Sequence, residues 1–153
     1  MKIRLTQRDD IPALQRVLQE TELFPPEMMP EMLSGFFSDA EPSDIWLTCL
    51  DSERPVGFCY AAPEALAEGT WNMLALAVLP AAQGKGCGGA IVTHLEEVLR
   101  ARGQRILIAD TSGTESFAGT RAFYARQGYE EEARIRDFWA PGDDKVTFRK
   151  ALH

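Results

Sequence analysis

The sequence predicts an α/β protein on a mixed, mostly antiparallel sheet, and three observations carry that expectation. Strand-like alternation punctuated by turn signals recurs from Asp44 to Leu79, which reads as an antiparallel meander. A glycine-rich stretch, Gln83-Gly84-Lys85-Gly86-Cys87-Gly88-Gly89, then stands between the apolar strand Trp71 to Leu79 and a helical pattern running to about Arg102. Two final strands flank a turn at Pro141 to Asp144.

The elements follow in order. Met1 to Leu5 reads as a strand and not as the start of a signal peptide, because charged residues return at once in Arg8-Asp9-Asp10. Asp9 or Asp10 is placed to cap a helix whose Ile11, Leu14, Val17 and Leu18 share one face, ending near Glu22. Pro25-Pro26 breaks the chain, and Glu27 to Phe37 restarts as a short helix carrying Met28, Met29, Met32, Leu33, Phe36 and Phe37. Helical spacing favours core packing for these side chains, with a partial substrate wall as the alternative. Asp44 to Leu50 and Val56 to Ala61 form a hairpin around Asp51-Ser52-Glu53-Arg54-Pro55, and Pro63 to Gly69 connects to the next strand. After the glycine stretch, Ala90, Ile91, Leu95, Val98 and Leu99 give the helix a buried stripe that Gly103 ends. Gln104 to Asp110 is a strand, and Glu115 to Gln127 a helix stopped by Gly128 in the C′ position.

With 153 residues the chain is expected to be one domain, residues 1–153. That length suffices to bury about 70% of the surface an unfolded chain exposes. The 45% hydrophobic content comes with no run long enough to span a bilayer, so no membrane partner is expected and a cytoplasmic location is the expectation. Cys49, Cys59 and Cys87 lack metal-type spacing and are odd in number, which argues against disulfides and against a metal site and fits a reducing compartment. Nothing near Cys87 in sequence activates it as a nucleophile. His94 reads as flanking the buried face of its helix. A formal net charge of −7 opposes nucleic-acid binding and favours a neutral or basic partner.

The glycine stretch reads as an anion cradle, since glycines admit a ligand to the backbone and the first amides of the following helix point at it. Gly84, Gly86 and Gly89 match the letters GxGxxG, with Asp110 near where a ribose-binding acid would stand. That dinucleotide fingerprint needs its first glycine at the strand end, yet Pro80-Ala81-Ala82-Gln83 intervenes. The preceding meander also opposes a Rossmann fold, which wants a parallel crossover first. A nucleotide-hydrolase phosphate loop requires Ser or Thr after Gly-Lys, and Lys85 is followed by Gly86.

The stretch closely resembles the acetyl-coenzyme A signature of the GNAT superfamily of N-acetyltransferases, (Gln/Arg)-x-x-Gly-x-(Gly/Ala), here Gln83-x-x-Gly86-x-Gly88 after Leu76-Ala77-Val78-Leu79-Pro80. A second mark, Phe123-Tyr124-Ala125-Arg126-Gln127-Gly128-Tyr129, matches the family's aromatic-Tyr-x-x-x-Gly-aromatic pattern, and the tail from Ala133 to Lys145 is similar to a bacterial subgroup of undefined acceptor. The resemblance covers nearly the whole chain. It implies a splayed sheet with helices on both faces, acetyl-CoA as cosubstrate, a small-molecule or peptide amine as acceptor, and dimers as a common assembly. It further implies that Leu76 and Val78 pair with the pantetheine arm, that Gln83, Gly84, Lys85, Gly86, Cys87, Gly88 and Gly89 hold the pyrophosphate, and that Tyr124 assists the departing thiolate. A noncatalytic acyl-CoA-binding module is the rival reading, and a nicotinamide-dependent oxidoreductase a more distant one. The chain departs from the family at Phe117, at Thr120 and at Asn72, which stands where some members carry a general-base glutamate. Glu22, Glu64, Asp110 and Asp137 are the alternative bases.

Overall fold

A computed structural model describes residues 1–153. Its strands are β1 (Lys2–Leu5), β2 (Ile45–Asp51), β3 (Arg54–Pro63), β4 (Thr70–Val78), β5 (Ile106–Ser112), β6 (Glu130–Ala140) and β7 (Asp143–Ala151). The helices are α1 (Ile11–Thr21), α2 (Met29–Ser38), α3 (Cys87–Ala101) and α4 (Ala118–Arg126). All seven strands join one sheet in the order β1-β2-β3-β4-β5-β7-β6, antiparallel everywhere except between β4 and β5. This is the mixed α/β architecture expected from the sequence.

Period-two alternation sends the strand side chains to two separate cores. Trp46, Phe58, Ala75 and Ala77 meet Leu14, Val17 and Leu18 of α1 and Met29 and Leu33 of α2 on one face. Ile45, Leu47, Cys59, Leu107, Val146 and Phe148 meet Ile91, Val92, Leu95 and Leu99 of α3 and Tyr124 of α4 on the other. Helices α1 and α2 therefore cover β2 to β4 alone. Asp110, Thr147 and Arg149 alternate with core residues of β5 and β7 and look out on the uncovered part of that face.

Two irregularities shape the middle of the sheet. The parallel β4–β5 ladder holds only three residue pairs, Thr70 with Ile106, Trp71 with Leu107 and Asn72 with Ile108, and past them the strands part. Within β4 the register to β3 jumps from Met73–Ala61 to Ala75–Tyr60, leaving Leu74 as an extra, exposed residue. A bulge of this kind reverses the alternation, so Leu76 and Val78 turn to the same side as Trp71 and Met73.

Local details differ from the sequence reading in three places. Asp10 has helical backbone angles and leaves the amides of α1 uncapped, because its carboxylate is drawn to Arg4 at 2.7 and 2.9 Å and to the Gln7 amide at 2.8 Å. A charge-assisted bidentate contact outweighs a cap. The β2–β3 connection tightens to Ser52-Glu53, both left-handed, which matches the twist of a two-residue hairpin and leaves Pro55 inside β3 next to a register shift. Glu115 to Phe117 forms a single 3-10 turn ahead of α4, in place of one continuous helix from Glu115.

Candidate active site

The loop after β4 presents its backbone to solvent. Gly84 and Gly86 have φ of +77° and +88°, and Gly86 is the residue from which α3 starts. Those left-handed residues keep the loop out of the helical ladder, whose first bond is Ala90 N–H to Gly86 O. The amides of Gly84, Lys85, Gly86, Cys87, Gly88 and Gly89 consequently find no acceptor in the protein. Six unpaired N–H groups at the positive end of a fifteen-residue helix make an anion cradle. Gly88 and Gly89 answer a further need, since a Cβ there would sit 3.2 Å from the Phe123 ring and 3.1 Å from the Gln127 side chain.

A cavity of about 660 Å³ runs from this cradle along β4. Leu76, Val78, Gln83, Gly84, Gly86, Cys87, Gly88, Gly89 and Tyr124 line it, which brings together all the expected site residues except Lys85; that side chain is exposed beside the cradle. Gln83 turns its side chain back, donating from Nε2 to Val78 O at 2.9 Å, so it organises the loop and leaves the anion to the amides. Sequence reasoning missed the opposite wall: Ser116, Gly119, Thr120, Phe123, Arg126 and Gln127 on and before α4. Their spacing of three and four residues was the available signal, obscured because this helix face is polar.

Tyr124 closes the inner end. Its ring packs against Phe123, Tyr129 and Phe148 at centroid distances of 5.4, 5.8 and 5.4 Å. The side chain is only 5% exposed. Its hydroxyl bonds to no protein group, yet the one buried side-chain polar atom without a partner is Asn72 Oδ1, so the phenol oxygen opens into the cavity. Burial pushes the phenol well above its ordinary range, and Cys59 and Asp110 push the same way. The group is a neutral donor at neutral pH. Cys87 lies buried with its thiol pushed up by the Cys49 thiol and by desolvation, and burial lifts Cys59 to about 12, so neither supplies a thiolate.

Behind Tyr124, a carboxylate that no sequence motif marks ties the elements together. Glu96 of α3, 4% exposed, accepts from the Tyr129 hydroxyl at 2.7 Å and from Lys150 Nζ at 3.0 and 3.2 Å. Lys150 also donates to Gln127 O at 2.8 Å, fixing the end of α4.

The four alternative bases separate cleanly. Glu22 is the exposed left-handed C-cap of α1, and Asp137 is exposed with Oδ1 accepting from the Gly142 amide. Glu64 and Asp110 instead converge on Asn72, whose Nδ2 donates to Glu64 Oε1 at 2.9 Å and to Asp110 Oδ2 at 3.4 Å. Thr147 donates to Asp110 Oδ1 at 2.6 Å, and Lys145 Nζ stands 3.9 Å from Oδ2.

The fold is that of an acetyltransferase. A GNAT-family protein from Desulfovibrio desulfuricans superposes with a TM-score of 0.90 at 29% identity over 99% of both chains. An aminoglycoside 6'-N-acetyltransferase complexed with coenzyme A superposes at 0.81 with 20% identity, over 100% of this chain and 98% of that one. The ribosomal-protein-S18-alanine N-acetyltransferase from Escherichia coli reaches 0.78 with 19% identity, over 99% and 93%. No curated protein matches the sequence. Residues 11–129 match the model of the Acetyltransferase (GNAT) family, and the chain belongs to that family.

Proposed function

We propose that the chain moves an acetyl group from acetyl-CoA to a primary amine by direct attack, with Tyr124 donating to the departing thiolate. The observation that carries this reading is the run of six unpaired amides, Gly84 to Gly89, at the mouth of a cavity whose inner end holds the free Tyr124 hydroxyl. The cradle suits the pyrophosphate of the cosubstrate. The edge of β4 at Leu76 and Val78, which β5 does not pair, suits the pantetheine amides. A backbone N–H of the same segment would stabilise charge developing on the thioester oxygen.

Direct attack fits because the cavity wall contributes no activated nucleophile, Cys87 being held as a thiol. Tyr124 acts by hydrogen bonding rather than by complete proton transfer. An ordinary phenol near 10 and a thiol near 8.5 already put transfer uphill by roughly 2 kcal/mol, and burial of Tyr124 steepens that slope. A basic acceptor agrees with the net charge of −7, and aminoglycosides and a ribosomal-protein alanine, the acceptors named for the neighbours, both carry amines.

Acetyl-CoA should raise the melting temperature in proportion to the logarithm of its concentration, and NAD should leave it unchanged. Tyr124→Phe should lower kcat by on the order of tenfold to a thousandfold with KM for acetyl-CoA nearly constant. Binding without turnover of any amine would point to an acyl-CoA-binding module, and full activity of the Phe variant would return Tyr124 to the packing residues.

A further inference from the structure

We propose that Glu64, Asn72 and Asp110 form the seat of the acceptor's primary ammonium group and that Glu64 takes the proton it sheds. The inference rests on the amine-acetylating reading above and assigns the acceptor half of that site.

The cluster is short of donors. Three donor hydrogens, two on Asn72 Nδ2 and one on Thr147 Oγ1, face five oxygens, two each on Glu64 and Asp110 and the Asn72 Oδ1. Lys145 at 3.9 Å is beyond hydrogen-bond reach of Asp110 and is drawn outward over the Phe138 ring at 4.3 Å. Asn72 is 7% exposed, and its Oδ1 is the chain's one buried side-chain polar atom without a partner. Such atoms are uncommon because each forfeits a full hydrogen bond. An ammonium brings three donors and one positive charge to a place with two carboxylates whose one ion-pair contact is Lys145 at 3.9 Å. A half-turn of the Asn72 amide exchanges its donor face for Oδ1, so one side chain serves the carboxylates alone or the bound cation.

The location fits the chemistry. Asn72 and Ile108 are the last pair of the β4–β5 ladder, so the cluster sits where the strands begin to part. Asp110 and Thr147 are cross-strand partners on the face that α1 and α2 leave uncovered, which gives an acceptor open access. After burial and Cys59, the Asp110 charge also helps to hold the Tyr124 phenol protonated.

The step balances. Glu64, whose Oε2 is uncommitted, accepts one proton from the ammonium and passes it to solvent. The freed nitrogen lone pair forms the C–N bond as the C–S bond breaks, and the second nitrogen proton ends on the leaving sulfur. The products are one amide, one thiol and one released proton.

The test uses the full chain saturated with coenzyme A, probed with spermidine, an aminoglycoside and a hexapeptide with a free α-amine, each beside its N-acetylated form. At least one free amine should raise the melting temperature and, with acetyl-CoA in place of coenzyme A, be acetylated, while its acetylated form should not shift it. Glu64→Gln and Asp110→Asn should each abolish that shift and raise the acceptor KM by about tenfold or more, with the coenzyme A shift intact. No amine shift in the wild type, or equal shifts and KM values in wild type and both variants, would overturn the seat. Loss of the coenzyme A shift in the wild type would overturn the donor-site reading instead.

Discussion

Gly86 and Gly88 occupy the same loop and answer to different constraints. At φ +88° Gly86 stands where a side chain costs about 1–2 kcal/mol, and nothing lies within 4 Å of an added Cβ. Gly86→Asp should therefore lose a few degrees of melting temperature and, by placing a carboxylate among the six amides, lose the acetyl-CoA shift altogether; an unchanged affinity would refute the cradle. Gly88→Ala should do the opposite, keeping most coenzyme affinity. Its methyl presses the Phe123 ring, which stacks edge-on against Tyr124, so kcat should fall by about tenfold or less while the acetyl-CoA shift persists. The glycines and Tyr124 were legible as candidates because each stands inside a compact family motif, Gln83 to Gly89 and Phe123 to Tyr129. The seat around Asn72 was not, since its partners lie eight and thirty-eight residues away and were only four loose candidates until folding placed two of them together.

At the scale of elements, α3, α4 and β7 are held in register by the Glu96 carboxylate. Lys150→Met leaves that carboxylate 5% exposed, with Tyr129 and a distant Arg100 at 3.6 Å as its remaining donors. Removing one partner of a buried pair costs about 3–5 kcal/mol, and the partial exposure of Lys150 puts the expected loss near the lower end. Urea unfolding should show the loss as a lower midpoint with an unchanged slope. The same variant frees the Gln127 carbonyl, so kcat should drop with it through the mobility of α4. Helices and strands with apolar periodicity were readable to within a few residues, as α1 and β4 show. The polar inner face of α4 and the preference of Asp10 for Arg4 over its own helix were not, because both are decided by groups that only tertiary structure brings near.

For the molecule as a whole, the buried protonated groups set a direction for its response to base. Burial raises Tyr124 and Tyr129, the latter helped by Glu96, and lifts Cys59 to about 12. A pKa raised on folding means that the native state binds the proton more tightly, so the associated stability is complete below the unfolded values, about 8.5 for the thiol and about 10 for the phenols, and is lost as pH climbs past them. Melting temperature should hold steady up to about pH 8.5 and fall progressively above about pH 9 to 10; Tyr129→Phe should flatten that fall. The overall α/β architecture was legible from the meander and the strand, loop and helix beyond it. The three-pair ladder at its centre was expected only through resemblance, since no local pattern reports where two parallel strands part company. That short ladder leaves the molecule with two kinds of strand edge. Of the outer edges, β1 is only four residues long, while β6 is exposed along its length, carries Glu130, Glu131, Glu132, Arg134, Arg136 and Asp137, and is kinked by two register shifts, the usual defences against sticking to another sheet. The inner one, β4 beyond Asn72, has apolar side chains, no charges and a single register jump at Leu74. It needs fewer, because it lies inside the sheet between β3 and β5, and the cavity that it borders is walled on its far side by residues of α3 and α4, so a neighbouring sheet meets helices before it meets the free edge.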